Sequence, residues 1–138
     1  THGVFVVSQV NAGRKNCLTF EIAAKSGTLY WNQEDPNKLW IGSRDDANKE
    51  LVRDPSLLSS FPASITHYPG GHQEGWPDGL KNLFIDFYEA VKMYPNSSST
   101  SFATIEDGHR IMLLIEAILK SNEEKRWVKI QTGQEVIK

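Results

Sequence analysis

Alternating apolar and polar residues predict strands in the first part of the chain. The segment CLTFEIAA at residues 17–24 places Leu18, Phe20 and Ile22 on one side with polar residues between them, the pattern of a strand with one wet face. Short turns rich in Asn, Gly and Pro separate this segment from similar ones, which favours an antiparallel meander. The other predicted strands cover residues 3–10, 28–32, 38–42 and, in a more polar sequence, 49–53.

The apolar period changes to that of a helix in the second half of the chain. In PDGLKNLFIDFYEAVKM, apolar residues recur at i, i+3, i+4 and i+7, which predicts an amphipathic helix with Pro77 in its first turn. A second helix is predicted over residues 105–122, capped by Thr104 with Asp107 three residues on in a capping-box pattern. The remaining predicted segments are a serine-rich loop at residues 93–101 and a closing strand from Trp127 to Ile130.

This order of elements, strands first and helices later, predicts an α+β fold. We expect an open, mainly antiparallel sheet with two main helices packed on one face. Adjacent residues, Tyr30 with Trp31 and Leu39 with Trp40, put apolar side chains on both faces of the sheet. Such residues are typical of an interface with a protein partner and equally of ordinary core aromatics, and the sequence leaves both interpretations open.

Length and composition narrow the class of protein. A chain of 138 residues predicts one domain, residues 1–138. With 23% charged residues and a formal net charge of -2, the chain has no basic field for nucleic acid. No apolar run approaches the roughly 20 residues that cross a membrane. The single cysteine, Cys17, cannot form an intrachain disulfide, which favours a cytoplasmic location, although a cysteine-poor exported protein fits as well.

The stretch YPGGHQEGWPD, residues 68–78, concentrates glycine, proline, histidine, acidic and aromatic residues just before the first long helix. Its glycines let the backbone approach a ligand closely, and a helix N-terminus offers free N–H donors. His72, Glu74 and Trp76 form a set suited to binding polyhydroxyl groups, so these three are the predicted substrate-binding residues. The alternative interpretation is that the stretch only turns the chain.

The sequence predicts no catalytic, cofactor-binding or metal-binding residue in this chain. His67, His72 and Glu74 lack the three or four ligands at recognisable spacing that a zinc site needs. Trp76 and Pro77 stand where a phosphate loop would have Lys and Ser or Thr, and no G-x-G-x-x-G follows a strand. No residue has the activating neighbours of a nucleophile.

Several motifs in order carry a resemblance to one family. YPGGHQEGWPDGLKNLFIDFYEAV (68–91) and FATIEDGHRIMLLIEAILKSNEEKRWVKI (102–130) resemble the C-terminal domain of the Gfo/Idh/MocA oxidoreductases, the glucose-fructose oxidoreductase and inositol dehydrogenase family. Residues 7–42 are similar to the hairpin region of that family, with a GR-N turn, a G-x-L-x-W strand and an E-x-P-N-x-L segment. The resemblance covers nearly the whole chain.

The resemblance implies the C-terminal substrate-binding and assembly domain of a dehydrogenase acting on a sugar, an inositol or a related polyol. It implies NAD or NADP as cofactor, bound by an N-terminal Rossmann domain that is absent from this chain, and a homo-oligomer formed through the open sheet face. The glycine fingerprint, Glu-Lys-Pro motif and Asp-x-x-x-His pair of the family do not occur in the sequence. No catalytic residue is therefore carried over, and we expect the isolated domain to be inactive.

Two other functions fit the same sequence. One is a stand-alone carbohydrate-binding module with this fold. The other is a purely structural dimerisation domain, in which residues 68–78 are only a turn. Replacing His72 and Glu74 in a full-length enzyme distinguishes the structural function from substrate binding, because only a binding role changes the KM for the substrate.

Overall fold

A computed structural model describes residues 2–95 and 101–131 and confirms the predicted α+β class. The chain divides into two compact units, Thr1–Leu80, which contains the sheet, and Lys81–Lys138, which contains the last helix and most of the one before it. Four strands form one antiparallel sheet in the order β1-β2-β3-β4. The elements are β1 (Thr19–Ala23), β2 (Gly27–Asn32), β3 (Lys38–Ser43), β4 (Lys49–Val52), α1 (Ser60–Ser64), α2 (Trp76–Met93) and α3 (Ile105–Glu124).

The strand register gives the sheet two unlike faces. Residues paired across neighbouring strands share a face, and successive residues of one strand alternate between faces. Aromatic residues lie on both faces, as predicted, and on one of them Phe20 stacks on Trp31 with ring centroids 5.3 Å apart. The apolar face carries Phe20, Ile22, Leu29, Trp31, Leu39, Ile41 and Leu51, with Lys49 paired to Ile41 on the same face. The polar face has at its centre the cross-strand row Glu21, Tyr30, Trp40 and Glu50.

Both long helices begin as the sequence predicts. In α2, Pro77 lies in the first turn, and the carboxylate of Asp78 accepts a hydrogen bond of 2.9 Å from the backbone N–H of Gly75. In α3, the hydroxyl of Thr104 accepts a bond from the N–H of Asp107, whose carboxylate accepts one of 3.0 Å from the N–H of Thr104. This reciprocal pair is the predicted capping box, with two otherwise unpaired donors satisfied at once.

The predicted strands at residues 3–10 and from Trp127 to Ile130 are wrong, because neither segment pairs with a strand in the described part of the chain. The side chains of Val4, Phe5, Val6 and Val7 are 84% to 92% exposed, and Trp127 is 97% exposed. β-Branched and aromatic residues favour extended backbone, but a strand forms only where a neighbouring strand completes its hydrogen bonds.

Two further differences from the sequence prediction concern the connections between elements. The short helix α1 was not predicted, because five residues are too few to establish a helical period. The serine-rich loop was predicted from residue 93, but Met93 is still the last residue of α2. Residues 96–100 of this predicted loop lie outside the described residues.

Among the described residues, the buried side chain is that of the polar residue Asn37, and the apolar side chains are at least partly accessible to solvent. Asn37 is 8% exposed, whereas none of the described apolar side chains is fully buried. In the second unit, Phe87 and Phe102 have ring centroids 5.8 Å apart. The described helices include none that is long and apolar enough to cross a membrane. Apolar surface therefore remains available in both units for contact with another surface.

We expect the capping box to make the start of α3 sensitive to acid. Hydrogen bonds from the backbone N–H and the hydroxyl of Thr104 lower the pKa of Asp107. A lowered pKa means that the stabilisation is present above the usual pKa of an aspartate and is lost as the pH falls through the lowered value. A peptide of residues 103–126 should therefore lose helicity, measured by circular dichroism, in that acid range, and Asp107→Asn should remove this part of the pH dependence. Equal pH profiles of the two peptides would contradict the prediction.

Candidate functional site

The candidate site is the loop between α1 and α2, whose backbone makes a tight turn at its tip. The N–H of His72 donates to the carbonyl of Pro69 at 3.3 Å, and Gly71 has a φ of 82°, a left-handed conformation that glycine adopts without strain. At its end the loop becomes the N-terminus of α2 through the Gly75 to Asp78 bond. The predicted residues His72, Glu74 and Trp76 all lie within this loop or at its junction with α2.

Asn37, the residue before β3, connects the sheet to this loop. Its side-chain Nδ2 donates to Oε1 of Gln73 at 2.7 Å and to the carbonyl of Glu74 at 2.8 Å. Its Oδ1 accepts from Nε of Arg53 at 2.8 Å and from the backbone N–H of Glu74 at 3.1 Å. Both hydrogens and the oxygen of the amide are thus engaged, as a buried amide requires.

Arg53, the residue after β4, binds the backbone of the loop with its guanidinium group. Its Nη1 donates to the carbonyl of Tyr68 at 2.9 Å. Its Nη2 donates to the carbonyls of His72 and Pro69, the latter at 3.4 Å. The planar arrangement of donors in arginine allows one side chain to reach several carbonyls at once, which a lysine ammonium group does not reproduce.

Glu74 completes the arrangement from within the loop. Its Oε1 accepts from the backbone N–H groups of His67 at 2.6 Å and Tyr68 at 2.8 Å, and it lies 3.3 Å from Nη1 of Arg53. The side chains of Arg53 and Glu74 are 13% and 11% exposed, so water screens this ion pair little. Removing one member of a pair of this kind leaves a desolvated charge behind, which costs about 3–5 kcal/mol for a fully buried pair. We call Asn37, Arg53 and Glu74 the polar network.

Gly70 is held closely against the carboxylate of Asp54. A Cβ atom at Gly70 would lie 2.4 Å from Oδ2 and 2.8 Å from Cγ of Asp54. That carboxylate is fixed by the backbone N–H and the hydroxyl of Ser56, which lower the pKa of Asp54. Only glycine therefore fits at this position of the loop without moving its neighbour.

The structure gives the three predicted site residues different surroundings. Trp76 is 71% exposed at the first residue of α2, and His72 is exposed at the tip of the loop. Glu74 instead directs its Oε1 to the backbone and to Arg53. Within residues 2–95 and 101–131, no group of three His, Cys, Asp or Glu side chains is placed to hold a metal ion.

Sequence reasoning missed Asn37 and Arg53 as parts of this site. Asn37 lies 36 and 37 residues before its partners Gln73 and Glu74, and no local pattern connects residues so far apart. The available signal was composition: an asparagine directly after Pro36 and an arginine directly after a strand are polar residues at strand ends, where binding and positioning groups concentrate.

The polar face of the sheet is a second candidate surface. It forms a concavity of about 430 Å³ lined by Glu21, Tyr30, Asn32, Asp35, Lys38, Trp40 and Glu50. The indole of Trp40 lies against buried Gly42, where an added Cβ would come within 2.4 Å of the ring. Nζ of Lys38 is 3.2 Å from Asp35 and 3.7 Å from Glu50, and the hydrogen bond and charge of Asp35, with the charge of Glu50, raise the pKa of Lys38.

The chain is similar to known oxidoreductases over most of its length. It is 27% identical over 128 residues to levoglucosan dehydrogenase of Pseudarthrobacter phenanthrenivorans, covering 86% of this chain and 30% of that relative. An oxidoreductase from Sinorhizobium meliloti matches with a TM-score of 0.81 and 32% identity, over 88% of this chain and 35% of that one. A levoglucosan dehydrogenase solved with NADH and levoglucosan has the same fold, with a TM-score of 0.73 and 22% identity over 88% of this chain and 33% of that chain. No protein-family model matches the chain.

These similarities show that the fold of this chain is one found in oxidoreductases. They also confirm the more specific prediction from the sequence, that the chain resembles the C-terminal domain of the Gfo/Idh/MocA oxidoreductases. The chain spans about a third of the length of the relatives it matches.

We expect Gly70→Ala to destabilise the loop. The new Cβ would displace the Asp54 carboxylate from its bonds to Ser56, and thermal unfolding of the protein that contains this chain should shift down by a few degrees. Gly79→Ala is the matched control, because a Cβ there meets nothing within 4 Å and the position is helical. An unfolding temperature lowered equally by both substitutions would contradict the close fit of Gly70.

Proposed function

We propose that this chain is the substrate-binding and assembly domain of an NAD(P)-dependent oxidoreductase that acts on a sugar, an inositol or a related polyol. The observation that most strongly supports an oxidoreductase is the match to the Sinorhizobium meliloti protein, at 32% identity and a TM-score of 0.81. The 27% identity to levoglucosan dehydrogenase supports a substrate of the sugar class.

In this proposal the hydride chemistry belongs to a nicotinamide cofactor bound by an N-terminal Rossmann domain, the partner of this chain in the full-length enzyme. Complexes of levoglucosan dehydrogenase with NADH support that type of cofactor. Residues 1–138 act as one domain that supplies part of the substrate pocket, and alone they do not transfer hydride because the cofactor carries that chemistry. A cytoplasmic location stays a prediction.

The loop at residues 68–78 is the proposed substrate-binding element. His72 is exposed and offers an imidazole that can donate to and accept from sugar hydroxyl groups. Trp76 is exposed and offers an aromatic ring for the apolar side of a sugar and an N–H for a hydroxyl. Glu74 supports the site by fixing the loop backbone through Oε1, and its direct contact with the substrate stays a prediction.

We also propose that the polar face of the sheet is the open face through which the protein forms a homo-oligomer. The apolar face carries, within the first unit, a concavity that Trp31, Leu39 and Leu51 share with Leu57, Leu58 and Pro62 of the chain around α1. On the polar face, Tyr30 and Trp40 are 37% and 36% exposed and adjacent across the strands. Exposed aromatic pairs with a charged rim are typical of protein interfaces.

The proposed substrate role predicts the effect of two substitutions in the full-length enzyme. His72→Ala and Trp76→Ala should each raise the KM for the sugar or polyol by about tenfold, the equivalent of about 1.4 kcal/mol of binding. The KM for the nicotinamide cofactor should stay unchanged, because the loop binds substrate only. Steady-state kinetics with NAD and NADP over a panel of sugars, inositols and other polyols, with levoglucosan included, measures both constants.

Matched controls are available for both residues. His109→Ala changes a histidine of α3, and Trp127→Ala changes a tryptophan that is 97% exposed; both variants should have wild-type constants. Absence of nicotinamide-dependent oxidation for every sugar and polyol would refute the enzyme function and would favour a binding module. Activity with unchanged KM in His72→Ala and Trp76→Ala would instead leave residues 68–78 as a turn.

The proposed oligomer predicts a change of mass on altering the polar face. Tyr30→Glu places a third carboxylate in the row that already contains Glu21 and Glu50, and like charges that meet at an interface weaken association. Light scattering of the full-length protein should then give the mass of a monomer. Lys49→Glu, at the apolar face, is the control and should keep the wild-type mass; an oligomer that persists in Tyr30→Glu would exclude this face.

A further inference from the structure

We propose that Arg53 and Asn37 are positioning residues for substrate binding: with Glu74 they fix the backbone of residues 67–74 before the substrate arrives. This inference rests on the function proposed above. In this proposal Arg53 and Asn37 lie outside the loop and do not touch the substrate. They affect substrate binding only by holding the loop in place.

Two residues of the polar network, Asn37 and Arg53, are attached to paired ends of the strands β3 and β4. Lys38 of β3 pairs with Val52 of β4, and Asn37 and Arg53 are the next residues outward from that pair. The backbone N–H of Arg53 donates to the carbonyl of Asn37 at 2.8 Å. The backbone hydrogen bonding between β3 and β4 therefore extends to these two residues of the polar network. A group held by a strand end moves less than one held by a loop, and it can therefore define where the loop lies.

Most bonds from the network to the loop end on backbone atoms. The guanidinium of Arg53 binds the carbonyls of Tyr68, Pro69 and His72. The carboxylate of Glu74 accepts from the N–H groups of His67 and Tyr68, at the start of the loop. Both the carbonyl and the N–H groups of the loop backbone are thus held, while the imidazole of His72 plays no part in these bonds.

The effect on binding follows from conformational entropy. Ordering the residues of a flexible loop costs conformational entropy, and a loop that is ordered only on binding subtracts this cost from the affinity. Because Asn37 is 8% exposed and the side chains of Arg53 and Glu74 are 13% and 11% exposed, we infer that their bonds to the loop form during folding. Weakening the network without unfolding the protein should therefore weaken substrate binding and leave cofactor binding as it was.

Two conservative substitutions in the full-length enzyme test the proposal. Arg53→Lys keeps the charge and loses the fork of donors. Asn37→Asp keeps the shape and the acceptor for Arg53, but it loses the donor to the carbonyl of Glu74 and sets two oxygens against each other. Each should raise the substrate KM by about tenfold with the cofactor KM unchanged. Hydrogen exchange of the amides in residues 67–75 should accelerate in the same variants.

The matched controls make the same substitutions at exposed positions. Arg44→Lys changes an arginine that donates one bond to the carbonyl of Lys25. Asn48→Asp changes an asparagine whose Oδ1 accepts from the N–H of Ser43, a role that a carboxylate also fills. Both controls should have wild-type kinetics and wild-type exchange in residues 67–75. Glu74→Gln is a third variant: its amide oxygen still accepts from His67 and Tyr68, but Arg53 loses its countercharge, and exchange and substrate KM should both rise.

The outcomes distinguish the two proposals. Faster exchange in residues 67–75 with an unchanged substrate KM overturns the positioning role, while a raised KM in His72→Ala still supports the proposed function. A rise of substrate and cofactor KM together, or a fall of kcat with both KM values unchanged, overturns the positioning role as well, because general damage then explains the loss. A protein that oxidises no sugar or polyol overturns the proposed function and the positioning role with it.

Discussion

The buried amide of Asn37 is the constraint on which the candidate site depends. A primary amide in a site that excludes water needs partners for both of its hydrogens and for its oxygen, and the missing partners of even one group cost about 1–3 kcal/mol. In this structure the partners are Gln73, Glu74 and Arg53. Satisfying one side chain therefore brings the end of β4 and the loop before α2 to the same place.

Local order around the site comes from polar bonds more than from apolar packing. Among the described residues Asn37 is 8% exposed, whereas large apolar residues such as Phe20 and Ile22 are 46% and 56% exposed. Hydrogen bonds give direction and register, but burial of apolar area gives most of the free energy of folding. The apolar surface that stays accessible is therefore where the proposed Rossmann domain would contribute stability.

Those parts of the fold with local causes could be predicted from the sequence, and those with distant causes could not. The capping box at Thr104 and Asp107 depends on residues three positions apart, and it was predicted and confirmed. The segment GVFVVSQV has strong β propensity, yet it forms no strand because a strand also needs a neighbour. Arg53 belongs to the same class of failure, since its partner Glu74 is 21 residues away and no period or motif connects the two.

A site built in this way separates the shape of the loop from the chemistry it presents. Bonds that end on the carbonyls of Tyr68, Pro69 and His72 do not depend on which side chains those residues carry. Under the proposed function, exchange of the imidazole at His72 or of the indole at Trp76 would change which hydroxyl groups are bound while the backbone keeps its course. Substrate preference in the proposed enzyme should accordingly follow the exposed side chains of the loop, and the polar network should set how strongly any substrate that fits them is bound.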